Sequence, residues 1–540
     1  MATTIHLPNK SPKQTGSLNK LVVAVSLALT AVLPVQANSS FTPKVGITGH
    51  GYQLDLGTEP DTQRGSALEV EPAVSWRYQG PNMLTRVDLS HQRVWYSDDE
   101  RDDMSFNEYL MQNVLSGFDR RLRWTVDASQ RYTIRAGGGG AIFRDRITNP
   151  GELSKTRRYG TAIALETAQH REAQFAVDLS ARKVNSKRPE QDDDLGDINS
   201  EQYNLSLRTF RHHQYGGIYW RGNTNVTRTE REQRNRLTRD SADLMFGIPL
   251  FPSLAWTVQG RYEQNNVRNS AFTNEYATAG TGLEWQFGRV SRINVNYNTV
   301  LTGRDDGNFV SADFLLAPSR RTSLSGYWDR RYFGRTAQVS GQYNLRFLTM
   351  RLSYTDRVST RNFLETELID LGVFVCPDDA TGIGDCFNFP GAGYELGVNE
   401  QLQQFFDVDT LIRDDVILNR QGALAIGYNK NRLTVGLNLS SSEQRYQELD
   451  RVDRRHNASF QTSWRLTPHS SLRANVRAYQ YDFGNNNRQD KSWQYELGWS
   501  RDLSSASDIN LTARHSRRDS NNDDFDYREN RLILNYNYRF

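Results

Sequence analysis

The stretch Trp124-Thr-Val-Asp-Ala-Ser-Gln-Arg-Tyr-Thr-Ile134 changes character at almost every residue. Trp124, Val126, Ala128, Tyr132 and Ile134 share one side, and Thr125, Asp127, Ser129, Arg131 and Thr133 the other. A two-residue period is that of a strand with one apolar and one polar face. Working outward, the split recurs in 336–346, where Ala337, Val339, Tyr343 and Leu345 oppose Gln338, Ser340, Gln342, Asn344 and Arg346. It recurs in 457–466, where Ala458, Phe460, Trp464 and Leu466 oppose Asn457, Ser459, Gln461, Ser463 and Arg465. No stretch keeps a helical apolar stripe for three turns, so the fold class is all-β.

Composition narrows where such strands can live. A chain of 540 residues would ordinarily make several soluble domains, each with an apolar core, yet only 37% of its residues are hydrophobic and its mean hydropathy is −0.70. Disorder fits no better, because 25 Tyr, 24 Phe and 10 Trp are too many aromatic residues for a chain that buries nothing. Sixty-six basic side chains against 63 acidic ones leave no general reason to expect a nucleic-acid partner.

The connections separate a soluble sandwich or propeller from a membrane barrel. A barrel in lipid has short turns at one end and long loops at the other. Clear short connections fall at 79–82, 168–171, 211–214, 251–253, 317–320, 428–431, 467–470 and 502–505, and weaker ones at 117–120, 288–291 and 346–349. Longer polar segments lie between them, such as 184–199, 228–239, 482–490 and 517–530. No blade-length repeat supports a propeller. Eleven short turns, each joining two strands, imply a transmembrane antiparallel up-and-down β-barrel of about 24 strands, with 22 to 26 admitted. Both termini then lie at the short-turn end. Trp76, Tyr78, Trp95, Tyr96, Trp220, Trp285, Tyr332, Trp464 and Trp499 stand at strand ends, where an interfacial girdle needs amphipathic rings. The final strand, 531–540, alternates Leu532, Leu534, Tyr536, Tyr538 and Phe540. Its terminal Phe540, preceded by Tyr536 and Tyr538, resembles the C-terminal signal read by the outer-membrane barrel-assembly machinery. The first strand, near 44–56, is expected to close on this last one.

Residues 1–37 read as a cleaved signal peptide: three lysines, the apolar run 21–33, then Pro34-Val35-Gln36-Ala37. The barrel is expected to occupy 38–540, in the outer membrane of a Gram-negative bacterium, with lipid and lipopolysaccharide as neighbours. One insertion, at about 358–416, is far longer than an ordinary loop. Residues 361–415 hold twelve acids against two arginines, a net charge of −10. The insertion is either a solvated, divalent-bridged surface loop or a constriction folded into the barrel. Cys376 and Cys386, the chain's only cysteines, are expected to form a disulfide within it. A second plug candidate is the glycine-rich connection that runs from Ala136 through the glycines 137–140 to Arg158.

Basic residues are nearly all arginine, 57 against nine lysines. Arg86, Arg131, Arg208, Arg346, Arg473, Arg477 and Arg514 fall on the predicted inward face as lumen-lining candidates. Either they suit a passing anionic polymer, or they pair with wall acids such as Asp88, Asp127, Asp313 and Glu496 and stiffen the lumen. Gly137 to Gly140 lacks the Lys-Ser/Thr of a phosphate loop, and His212-His213 has no third ligand nearby. No catalytic, cofactor or metal set stands out, so no enzyme is expected.

The segments Gly280-Thr-Gly-Leu-Glu-Trp285, 316–326, Arg330-Arg-Tyr-Phe-Gly334 and Leu352-Ser-Tyr-Thr-Asp356 resemble the uncharacterised outer-membrane barrels associated with PEP-CTERM/exosortase exopolysaccharide systems. The resemblance covers the middle third of the chain and implies a role in exporting or assembling a surface polysaccharide, with polysaccharide and periplasmic export components as partners. Two function classes follow: a pore for exopolysaccharide, or a structural or adhesive barrel whose long external loops bind polymer or partners.

Overall fold

In a computed structural model the chain is described from Asn38 to Phe540, except 58–61, 99–100, 120, 135–145, 149, 168–171, 188–196, 212–215, 232–233, 267–274, 289, 304–306, 320, 361–366, 378–386, 389–399, 410–415, 447–450, 485–486 and 523–524. The expected signal peptide, Cys386 and the His212-His213 pair lie outside the described residues.

The strands run β1 Asn38–Leu56, β2 Gln63–Gln79, β3 Met83–Tyr96, β4 Met104–Gly117, β5 Leu122–Ile134, β6 Leu153–Glu166, β7 Ala173–Ser186, β8 Ile198–Arg211 and β9 Tyr219–Arg231. They continue as β10 Arg234–Phe251, β11 Leu254–Asn265, β12 Glu275–Phe287, β13 Ser291–Thr302, β14 Phe309–Ser319, β15 Thr322–Arg331, β16 Gly334–Asn344 and β17 Leu348–Thr360. After the insertion strands β18 Glu367–Pro377, β19 Phe387–Asn388 and β20 Glu400–Asp409 come β21 Val416–Lys430, β22 Leu433–Tyr446, β23 Arg451–Thr467 and β24 Ser470–Phe483. β25 Arg488–Asp502, β26 Ser507–Ser520 and β27 Tyr527–Arg539 complete the chain.

Twenty-four of these strands form one antiparallel sheet, and β18, β19 and β20 form a separate three-stranded one. The large sheet closes through β1 and β27, from Lys44 opposite Arg539 to Leu56 opposite Tyr527. β17 passes directly to β21 across the insertion. Closure leaves no unpaired edge, which is the condition for strands to cross lipid. Each of the eleven connections expected to be short does join neighbouring strands. Following paired residues once round the barrel returns to β1 displaced by about 30 positions, which for this strand number means a tilt of about 40° and, were the section round, a backbone diameter of about 48 Å.

The segment 228–239 departs from expectation. It reads as a loop from its charge, but Arg228 pairs with Thr238 and Thr227 with Arg239, so β9 and β10 run through it. A membrane strand needs only about 9–11 residues, and β1 and β10 have 19 and 18. Polar strand ends at the long-loop side stand clear of the lipid, where charge carries no penalty.

Candidate functional site: the inner wall

Alternation assigns the faces. Leu68, Leu283, Trp285, Val295, Trp464, Leu497, Leu532 and Leu534 are exposed on the outside, and their sequence neighbours point inward. Six of the seven predicted arginines face inward: Arg86, Arg131, Arg208, Arg473, Arg477 and Arg514. Arg346 does not. It sits in the turn between β16 and β17 with its guanidinium 5.0 Å from the Phe347 ring, because Asn344 ends the strand two residues earlier than the alternation suggests.

Much of this inward charge is paired. Arg86 bonds Asp88, Arg208 lies 3.0 Å from Asp178, and Arg514 lies 3.0 Å from Glu496. Arg477 donates to Gln494 at 3.3 Å. Near the long-loop end of β23 to β27, Arg451–Asp453 and Arg488–Asp490 each close to 2.6 Å, with all four groups buried. Arg488 also stacks between Phe483, at 4.1 Å, and Phe525, at 3.6 Å. Desolvated charges persist only when each finds a geometrically good partner, and these have one.

The densest network runs up β9 to β15. At its short-turn end Glu284 is 1% exposed and takes Arg221 and Arg292, each at 3.1 Å, and the Tyr219 hydroxyl at 2.7 Å. Asp313 accepts from Arg221 at 3.3 Å and from Asn294 at 2.8 Å, with Arg292 3.5 Å away. Above them Thr257 donates to Asn296 at 2.7 Å, and Gln259 and Asn298 both donate to Ser311. At the long-loop end Arg261 holds Asp329, and Arg331 holds Glu263.

These partners are not adjacent. Arg221 on β9 reaches Asp313 on β14, and Arg261 on β11 reaches Asp329 on β15. Strands four apart in a round barrel are about 20 Å apart, beyond the combined reach of an arginine and an aspartate. The wall therefore folds into a tight corner here, and the polar side chains fill its inside. Small residues make room: Tyr219 lies across Gly247 and packs on fully buried Ala255, and a Cβ at Gly280 or Gly282 would overlap Asn298 or the Val295 carbonyl. Of this network the sequence reading named Asp313 as a wall acid, and alternation alone cannot bring distant strands together.

Of the second plug candidate, the described residues Arg146 and Ile147 lie in the lumen. In the β5–β6 connection Arg146 lies 3.0 Å from Glu69 on β2 and also donates to Gln92 on β3. Ile147, 2% exposed, packs in a cluster with Tyr52, Ala67, Val94 and Phe106 on the inward face of β1 to β4. Of the long acidic insertion, only the backbone of its three strands is described.

A closed sheet with an aliphatic and aromatic outer belt and a polar, ion-paired interior has one home. The chain is a β-barrel of the Gram-negative outer membrane. No family model matches it, and no curated protein does. Among solved structures it is similar to the siderophore receptor PirA from Acinetobacter baumannii, at 10% identity over 94% of this chain and 81% of that one with a TM-score of 0.45. The FrpB iron transporter from Neisseria meningitidis matches at 11% identity over 92% and 82%, with a TM-score of 0.44. OccK1 from Pseudomonas aeruginosa matches at 9% over 93% and 99%, with a TM-score of 0.37.

Proposed function

We propose that the barrel is an outer-membrane pore for a hydrophilic polymer, and that the polymer is a surface exopolysaccharide on its way out. The observation that carries this reading is the inner wall. Apart from the apolar cluster around Ile147 it is polar, and it is lined by Arg–carboxylate and amide pairs whose charges largely cancel. Such a wall can trade hydrogen bonds with a polyhydroxyl chain without holding it by net charge, which is what passage rather than storage asks of a conduit.

The test is conductance of the purified barrel in planar bilayers, with neutral polymers of graded size as exclusion probes. The expected result is a large, weakly ion-selective pore blocked by soluble polysaccharide. A barrel that conducts nothing in the presence of either salt or polysaccharide would overturn the pore and leave the structural or adhesive role.

A further inference from the structure

The lipid-facing side of the β27–β1–β2–β3 seam carries a groove of about 500 Å³ near the long-loop end. Its floor is Gly49 and Gly51 on β1, where an added Cβ would meet nothing within 4 Å. Leu68 and Trp95 form one bank, and Leu532 and Leu534 the other. A second depression, of about 770 Å³, meets it at Gly51 and Leu532 and continues over Ala513 and Ala474. Alternate small and large side chains on a face otherwise covered by large ones leave channels the width of a hydrocarbon chain, and a void left against lipid loses dispersion contacts.

Three outward arginines flank this groove, one beside it and two beyond its long-loop end. Arg93 on β3 lies beside it, 5.1 Å from the Trp95 ring, and Arg64 on β2 and Arg528 on β27 lie further toward the long loops on the same outer face. All three are exposed, and none makes an ion pair among the described residues. The neighbouring outward acid is Asp55, opposite Arg528. Inside the barrel Arg86, Arg208 and Arg514 are paired with carboxylates, whereas these outward arginines beside and above an apolar groove are not.

We infer that this seam binds an acylated, phosphorylated glycolipid of the outer leaflet, its acyl chains lying over Gly49, Gly51 and Ala513 and its phosphates held by Arg64, Arg93 and Arg528. The apolar groove and the basic cap match the two halves of such a lipid. Arginine suits a phosphate because its fork can donate two hydrogen bonds at once.

The experiment measures binding of purified lipid A to the detergent-solubilised, heat-modifiable barrel, with monophosphoryl lipid A and phosphatidylglycerol as companion probes. Replacing each arginine by alanine is expected to weaken lipid A about fivefold at low salt. Gly49→Leu with Gly51→Leu, which the open space admits without strain, is expected to weaken all three acylated probes by filling the groove. Lipid A binding unchanged in the triple arginine variant, or unchanged when the groove is filled, overturns the site. Phosphatidylglycerol binding as tightly as lipid A overturns the glycolipid assignment, and lipid A should lose affinity when one phosphate is removed.

Discussion

The docking of residues 146–148 on the inner wall can be weakened one side chain at a time. Ile147 is 2% exposed among Tyr52, Ala67, Val94 and Phe106, and truncating such a side chain to alanine removes about 2–3 kcal/mol, the lower part of the usual range because a short segment can settle into the space. Arg146, 23% exposed against a Glu69 that is 7% exposed, donates to both Glu69 and Gln92, and Arg146→Ala should cost a similar amount through lost charge-assisted bonds. The two sit side by side, so their effects should not add fully. A loss of about 3 kcal/mol shifts a docked-to-released equilibrium by roughly 150-fold. Thr148, 4% exposed, provides the readout. A cysteine there should react slowly with an impermeant thiol reagent in the otherwise unchanged barrel and much faster when Ile147→Ala or Arg146→Ala is added. Single-channel records of the same variants should show longer dwell in a larger-conductance state. Equal labelling rates in all three backgrounds would refute the docking, and faster labelling with unchanged conductance would show that the segment does not obstruct the pore.

Gly282→Ala should lower the yield of heat-modifiable barrel, since its methyl meets the Val295 backbone at a cost of about 1–3 kcal/mol, while Gly49→Ala should leave folding unchanged. Deleting Phe540 should reduce assembled barrel in the outer membrane: its ring stacks edge-on with Tyr538 at 4.8 Å on the lipid side, and its amide closes the seam onto Pro43 at 3.0 Å. A cysteine at Asn82 should be protected from an impermeant label in intact cells, and one at Asn521 should react, both positions being exposed at opposite ends; the reverse would invert the topology. Asn431 is a poorer probe than Asn82, because its φ of 56° strains a cysteine.

The strand count was legible because turn chemistry and alternation are local. Pro81, Asn431 and Pro468 mark turns without reference to anything distant, and a two-residue period tells which side chains share a face whatever lies beyond. Two local readings failed for the same reason. Charge-rich 228–239 looks like loop, but strands longer than the membrane is thick carry charged ends above it. Arg346 keeps the parity of the strand before it, yet the strand ends at Asn344, and parity says nothing past its last hydrogen bond. Arg146 gave no signal at all, since a single arginine after a glycine run has no period to belong to. The alternatives left open for the interior arginines resolve only with register: Arg86 and Asp88 are near in sequence, whereas Arg221 and Asp313 meet across five strands.

That last pair bears on what the middle third of the chain encodes. The segment Gly280-Thr-Gly-Leu-Glu-Trp285 supplies Gly280, Gly282 and Glu284 to the inside of the corner, and Arg330-Arg-Tyr-Phe-Gly334 supplies Arg331 to its upper end. The absent side chains of Gly280 and Gly282 leave room for Asn298, Asn296 and the Val295 carbonyl, and one buried carboxylate ties together three donors from β9 and β13. A sequence pattern of this kind records how a wall is folded rather than what passes through it. If so, Glu284→Gln, which keeps the shape and removes the charge, should destabilise the barrel by about 1.5–3 kcal/mol through weakened charge-assisted hydrogen bonds to Arg221 and Arg292, while ion selectivity of whatever folds stays close to that of the parent. Selectivity that moves sharply toward anions with folding intact would mean that the corner opens onto the conduction path, and that its residues act on the passing solute directly.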